Sequence, residues 1–426
     1  MEKIIQAKQS FLDIINKKEW EQIYVGFSGG KDSSAALQIV VDVFFENNIK
    51  IPIRVLSSNT LIENPLIEKQ LIEVKEQIDT INYNTHLDIK HMILEPDYNS
   101  TYFVNTLVKG YSTPLSSMGR WCTRSLKVDP MEKIYKKIDS LTLVVSGVRD
   151  DESTLRKKNI NNYFKEDLQK DSEFIYKFGP VRELNVSDVW NYIMDMFRSN
   201  DLHYINNNTL WKIYRDGSSD DVCPSSVDLS LNKEHINSCG KSRYGCYMCP
   251  LVKRDKALES NIINGHVQLE GFHELREWYM ERCYNPVYRR RFNRKNNFKL
   301  KEIEVQENGD FKFLLLYTKY IGNIHEEYDN NNRKINVFLF DDEINRDHII
   351  NMEVQFREDE ILILHDIVAH KYYVPTTAML ADHFRIELYQ KIIEIEECHD
   401  IEVLKNEERN VISNYMLGNY GNYFSK

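Results

Sequence analysis

At 426 residues, 42% hydrophobic and 12% aromatic, the chain carries ample apolar material to fold and exceeds what one hydrophobic core usually holds, so disorder is excluded and two or more domains are expected. A formal net charge of −10 excludes an evenly basic nucleic-acid binder and leaves only local patches for such contacts. Seven cysteines, an odd number, argue against a disulfide framework and for metal binding or redox chemistry.

In chain order, Glu2, Lys3 and Lys8 open an amphipathic helix where a leader would need an apolar run, and no run of eighteen apolar residues follows, so the expected location is cytoplasmic, away from membranes. Apolar runs at 23–27, 51–56, 91–94 and 141–147 read as strands. Between them Ala35 to Phe45, 64–80 and 130–138 read as helices. Strand alternating with helix predicts an α/β fold over 1–205, a doubly wound parallel sheet, with ligands at the carboxyl ends of its strands. Residues 206–256 are expected to form a cysteine-rich segment, its Asn-, Ser-, Asp- and Gly-rich part closing over the site. From 257 to 426 a mainly helical C-terminal domain is expected, with short strands at 312–317 and 335–340 and an exposed turn from Asp329 to Asn332.

The first strand runs into "VGFSGGKDSS", glycines at a strand-to-helix junction, where unpartnered N–H groups and the helix dipole make an anion site. A P-loop is excluded, because Val25 stands where the motif needs glycine and Asp32 where it needs the Mg²⁺-binding hydroxyl. The run Ser28-Gly29-Gly30-Lys31-Asp32-Ser33 instead resembles the PP-loop of ATP pyrophosphatases, whose fold is the adenine nucleotide alpha-hydrolase type. That resemblance implies that Ser28, Gly29, Gly30, Asp32 and Ser33 cradle the departing pyrophosphate, with Lys31 as a point-charge contact.

"SCGKSRYGCYMCP" supplies Cys239, Cys246 and Cys249. A Cys-x2-Cys pair with a third thiol upstream points to one metal centre, for which Cys122 in "RWCTRSLK" is the leading fourth ligand and Cys223 the second choice. Spacing alone leaves zinc and a [4Fe–4S] cluster open. His86, His91 and His203 lack ligand spacing and read as packed or surface residues, Cys283 and Cys398 as small hydrophobes, and Trp190 and Tyr192 as core. Arg149, in "SGVRDDES", and Arg156 are candidate phosphate contacts, against the alternative of pairing with Asp150, Asp151 or Glu152. From Arg282 to Lys299 stand Arg282, Arg289, Arg290, Arg291, Arg294, Lys295 and Lys299, with aromatic residues between and no acid, a pattern suited to phosphate contact and base stacking or to pairing with acids elsewhere.

"RWCTRSLKVDP", "SGVRDDES" and "FGPVRELNVSDVWNYI" look like the run found in phosphosulfate reductases. Across residues 20–295 the chain resembles the DndC family, sulfurtransferases of DNA phosphorothioation. The resemblance implies an ATP pyrophosphatase using ATP and Mg²⁺, with Lys31, Asp32 and Arg149 catalytic, Gly147 and Arg149 joining Ser28 to Ser33 around the nucleotide, and a [4Fe–4S] cluster on Cys122, Cys239, Cys246 and Cys249. It also implies DNA, a cysteine desulfurase and other subunits of a phosphorothioation complex as partners. Asn59 stands where that family tends to place Asp, which would shift a metal-holding role to Glu63 or Asp32. Rival readings are tRNA thiolation, phosphosulfate reduction and an ATP-sensing scaffold. A reductase of the common type needs a mobile C-terminal cysteine, and the sequence ends "GNYGNYFSK".

Overall fold

The computed structural model describes residues 2–111, 120–150, 168–198, 200–217, 244–249, 251–252, 254–283, 288–290, seven strands between 297 and 376, and 379–424. They divide into two units, Met1–Tyr102 with Ser116–His273 and Phe103–Leu115 with Glu274–Lys426.

The first unit starts with helix α1 (Glu2–Asn16) and then alternates: β1 (Gln22–Gly26), α2 (Lys31–Glu46), β2 (Ile53–Ser58), α3 (Pro65–Asn84), β3 (Ile89–Leu94). After α4 (Trp121–Thr123) and α5 (Asp129–Tyr135) come β4 (Thr142–Val145), β5 (Gln169–Lys170), β6 (Ile175–Phe178), α6 (Val186–Ile193), α7 (Asn208–Asp216) and α8 (Lys256–Ile263). The sheet runs β3-β2-β1-β4-β6-β5, parallel except for β5 at the edge. In β1, Ile23 and Val25 pair with Ile53 and Val55 on one side and with Leu143 and Val145 on the other, all buried. Residues apolar toward both faces belong in a sheet covered twice, and α2, buried from Lys31 through Phe44, is one of its covers. Chain order reverses direction between β1 and β4, so the crevice at their carboxyl ends is the switch point where such sheets take ligands.

Helix starts follow local chemistry. The Asn64 side chain accepts from the Leu66 N–H with Pro65 in the first turn of α3, and Asn185 and Asp188 form a reciprocal capping box on α6. In the middle of α2, Asp42 is fully buried and receives Lys8 Nζ at 2.6 Å, the Tyr192 hydroxyl at 2.6 Å, Gln38 Nε2 at 2.6 Å and Arg198 at 2.5 Å. Burial opposes the Asp42 charge, but Arg198 and Lys8 more than offset it and hold the carboxyl below its usual range.

His91 of β3 is buried against the edge of the Phe27 ring, with Nε2 2.7 Å from Ser57 Oγ. Burial, with Lys75 nearby, lowers its pKa to about 4. Because the folded chain keeps this ring neutral while the unfolded chain protonates it near 6.5, the stabilisation is complete above pH 6.5 and is lost as pH falls toward 4, by about 3 kcal/mol in all. Urea midpoints between pH 4 and 8 should show this slope, and His91→Gln should flatten it.

In the second unit, β7 (Asn297–Val305), β8 (Phe311–Phe313), β9 (Tyr320–Tyr328), β10 (Lys334–Phe340), β11 (Met352–Phe356), β12 (Leu362–Asp366) and β13 (Lys371–Thr376) form one antiparallel sheet, ordered β10-β9-β7-β13-β12-β11 with β8 on β7. Helices Asp382–His399 and Asn406–Phe424 follow. The region thus keeps the expected helices and holds more strand than the two short segments expected. Of those, 335–340 lies within β10, and 312–317 overlaps β8. The 329–332 turn lies outside the described residues. Buried Arg385 donates to the Leu107 and Val108 carbonyls at 2.7 and 2.8 Å and pairs with Asp382 at 2.8 Å. Cys283 is buried as expected, whereas Cys398, expected to pack, is exposed, because it lies past Ile395, the last buried position of its helix. Among the described residues no helix is long and apolar enough to cross a membrane.

Candidate functional site

Beyond Gly26 the chain turns through Gly29, whose φ of 73° lies in the left-handed region that suits glycine, and enters α2 at Gly30. Ser33 ties this loop together: its hydroxyl donates to the Gly30 carbonyl at 2.8 Å and accepts from the Ser28 N–H at 3.2 Å. The N-cap Gly30 has no side chain to cap the helix, and the first turn of α2 lines a cavity of about 630 Å³. Its walls include Ser28, Lys31, Asp32, Ser33, Glu63, Lys127 and Arg149.

Gly147, after β4, closes the other side. A Cβ there would stand 2.7 Å from Ser33 Cα and N and 2.8 Å from the Asp32 carbonyl carbon, so only glycine lets the two loops approach this closely. Arg149 follows, 3% exposed, with Nε 2.7 Å from Asp32 Oδ1 and a hydrogen bond of 3.1 Å to the Leu184 carbonyl. Of the alternative partners for Arg149, Asp150 is taken by Arg182 at 3.2 Å, and Asp151 and Glu152 lie outside the described residues. Lys31 Nζ lies 3.3 Å from Asp32 Oδ2. The site therefore gathers helix amides, two ammoniums and one guanidinium around two carboxylates, a surplus of positive charge matched to phosphates.

Asn59 explains its departure from an acid. Its amide nitrogen donates to Glu68 at 3.1 Å and Glu95 at 3.4 Å, and its oxygen accepts from the Leu61 N–H at 3.0 Å, holding Leu61 at a φ of 63°. An aspartate would add a third carboxyl where a donor is required. Asn59→Asp should lower stability by about 1–3 kcal/mol in urea unfolding; an unchanged midpoint would contradict this account of the amide.

The Leu61 turn presents Glu63, which bridges Cys246 in antiparallel fashion. Cys246 Sγ lies 3.6 Å from Thr60 Oγ1 and 3.8 Å from Glu63 Oε1, and Lys127 Nζ pairs with Glu63 at 2.6 Å. Burial, then the Glu63 carboxylate, pushes the Cys246 thiol up to about 12, against the pull of Lys127. Burial likewise raises the Cys122 thiol, and the charge of Cys249 adds to both. Cys122, Cys246 and Cys249 thus share one neighbourhood beside the cavity wall formed by Glu63 and Lys127. Cys239 and the alternative Cys223 lie outside the described residues, as does Arg156. Among the described residues, the three ligand atoms that lie mutually within 4.8 Å belong to Asp42, Glu46 and His203. There Lys8 and Arg198 already neutralise Asp42.

Of the basic stretch, Arg282 stacks on Trp278 and pairs with Glu281, Arg289 is buried and donates to the Cys283 carbonyl, and Arg290 pairs with Asp382 at 2.5 Å. Arg291, Arg294 and Lys295 lie outside the described residues, and Lys299 is on β7. Sequence reasoning did not single out Lys127, Tyr214 or Tyr244, all of which line the cavity. Leu210, Ile213 and Tyr214 at helical spacing do mark a buried face of α7, but not what that face meets.

No curated protein matches the chain. Among solved structures it shows 14% identity, with a TM-score of 0.30, to an NH3-dependent NAD synthetase from Campylobacter jejuni subsp. jejuni, over 50% of this chain and 76% of that one. It shows 15% identity, with a TM-score of 0.32, to the U34-tRNA thiolase NcsA from Methanococcus maripaludis with its [4Fe-4S] cluster, over 66% of this chain and 80% of that one. The profile of the phosphoadenosine phosphosulfate reductase domain matches residues 22–251, which hold both strands of the switch point, the glycine loop, Arg149 and the cysteines beside the cavity. That span is more than half of the chain, which therefore belongs to the phosphoadenosine phosphosulfate reductase domain family.

Proposed function

We propose that this protein is an ATP pyrophosphatase-type sulfurtransferase that adenylates a DNA backbone phosphate, so that sulfur replaces a non-bridging oxygen, as the DndC resemblance implies. The observation that carries the reading is the glycine loop and first turn of α2 lining a cavity shared with Lys31, Arg149 and the Glu63–Lys127 pair, which stands beside Cys122 and Cys246. A phosphate oxygen is a very poor leaving group. In the first step a DNA oxygen attacks the α-phosphorus, the bond to the β-phosphate breaks, and pyrophosphate leaves into the amides of residues 28–33. Lys31 and the helix dipole stabilise the charge it carries away, and Arg149 is placed for the α-phosphate or the DNA phosphate. In the second step sulfur at the sulfide level forms a bond to the DNA phosphorus, and AMP departs with the original oxygen.

Asp32 and Glu63 each already face a cation, so a Mg²⁺ arriving with the nucleotide would rest chiefly on phosphate oxygens. The donor chemistry of Cys122, Cys246 and Cys249 fits a metal centre, and the DndC resemblance makes that centre a [4Fe–4S] cluster, with Cys239 as the proposed fourth ligand. Such a cluster would supply a binding point for sulfur or shape the pocket next to Lys127. Anaerobically purified protein is expected to be brown, with about four irons per chain, and Cys246→Ser to lose them; colourless, zinc-bearing protein would contradict the cluster. A cysteine desulfurase as sulfur donor, a cellular thiol that reduces its persulfide by two electrons to the sulfide level and leaves as a disulfide, and partner subunits complete the proposal.

Substrate identity is tested in cells. Nuclease digests of DNA should contain phosphorothioate-linked dinucleotides with the wild-type chain and none with Asp32→Ala. Sulfur found instead in tRNA would contradict the DNA reading. The family itself favours a second reading, reductive cleavage of a phosphosulfate, which predicts sulfite release from that substrate.

A further inference from the structure

The first helical amide of α2 needs a partner, and Gly30 has no side chain to offer one. The oxygen that faces the Lys31 N–H comes from far along the chain, from Tyr214 on α7. The phenol oxygen stands 3.6 Å from where a Cβ on Gly30 would be, and Lys31 Nζ lies 5.5 Å from the ring centre. Trp190 at 5.2 Å and Tyr244 at 5.1 Å hold the ring edge-on. Tyr244 is itself fixed by donating to the Ile213 carbonyl at 2.5 Å and by the Asn261 amide at 3.0 Å, in space that a side chain at Gly217 would fill. Burial, with the Asp32 carboxylate adding to it, keeps the phenol well above its ordinary pKa, hence neutral. Core packing alone accounts for the ring but not for a hydroxyl at its tip, since phenylalanine would pack equally well.

We propose that Tyr214 is a positioning residue of the phosphate loop, its phenol oxygen standing in for a phosphate oxygen at the Lys31 amide while the site is empty and yielding that amide when pyrophosphate or the outer phosphates of ATP bind. The inference rests on the pyrophosphatase reading and deepens it. A phosphate oxygen carrying charge outcompetes a neutral phenol at a helix N-terminus, so the loop stays organised without ligand. When pyrophosphate leaves, the phenol returns to the amide, which lowers affinity for product and speeds its release.

The test is calorimetric titration of inorganic pyrophosphate into the full-length wild-type chain and Tyr214→Phe, with amide hydrogen exchange at Lys31. Tyr214→Phe should bind pyrophosphate about three- to tenfold more tightly, because one neutral hydrogen bond is removed from the empty state alone. In the wild type the Lys31 amide should exchange slowly even without ligand. In Tyr214→Phe it should exchange faster until pyrophosphate restores protection, a change that a merely structural tyrosine would not produce. Equal or weaker binding by Tyr214→Phe, or rapid Lys31 exchange in the empty wild type, overturns the role of Tyr214 while leaving the pyrophosphatase reading in place. Failure of both proteins to bind pyrophosphate overturns both.

Discussion

Gly147→Ala is expected to lower ATP turnover by a factor of about a hundred or more, because a shift of roughly 1 Å in a positioned loop has an effect of that order. The added carbon would stand 2.7 Å from two backbone atoms of Ser33 and 2.8 Å from one of Asp32, and backbone at a helix start cannot swing aside as a flexible side chain can. Relief requires the glycine loop to move away from β4, which displaces the amides of α2 and separates Asp32 from Arg149. The stability cost should be smaller, about 1–3 kcal/mol, as for other overpacked sites. Pyrophosphate release and thermal melting, measured on the same preparation, separate the two effects. A variant that melts a few degrees lower yet turns over ATP at the wild-type rate would show that the close approach of the two loops is not needed for chemistry.

Asp42→Ala should be the most destabilising single substitution at a site remote from the nucleotide, costing about 3–5 kcal/mol. It removes the shared acceptor of Lys8, Arg198, Tyr192 and Gln38. Lys8 keeps Glu46 at 2.8 Å and Arg198 keeps Asp201 at 3.2 Å, both near solvent, but the buried Tyr192 hydroxyl loses its carboxylate. Urea unfolding at pH 7 measures the loss, and a cost below about 1 kcal/mol would mean that the cluster is incidental to the fold.

The parallel sheet is legible in the sequence because strands buried on both faces leave continuous apolar runs, such as Ile23 to Phe27 and Leu141 to Val145, and the glycine loop is legible because an anion-binding turn needs small residues at one junction. Contacts between distant segments are not. Nothing near Gly147 announces Ser33, and nothing near Glu63 announces Cys246, since those meetings depend on how strands and loops stack. Asp42 reads locally as a lone acid interrupting an apolar helix and becomes intelligible only when Lys8 and Arg198 are brought to it. The antiparallel sheet of the second unit is muted for another reason. In β7 Phe298 and Leu300 alternate with lysines, but adjacent Lys301 and Glu302 break the period before Ile303 and Val305 resume it. The basic stretch shows the converse hazard: Arg289 and Arg290, adjacent in a run without acids, find a backbone carbonyl and Asp382 through folding.

Which bond of ATP breaks is the question on which the proposed chemistry turns. ATP labelled separately at the α- and γ-phosphates, incubated with the protein, Mg²⁺ and DNA, should deliver the α-label to AMP or to an adenylated strand and the γ-label to pyrophosphate, with Asp32→Ala yielding neither. Release of the γ-label as orthophosphate with the α-label in ADP would contradict it.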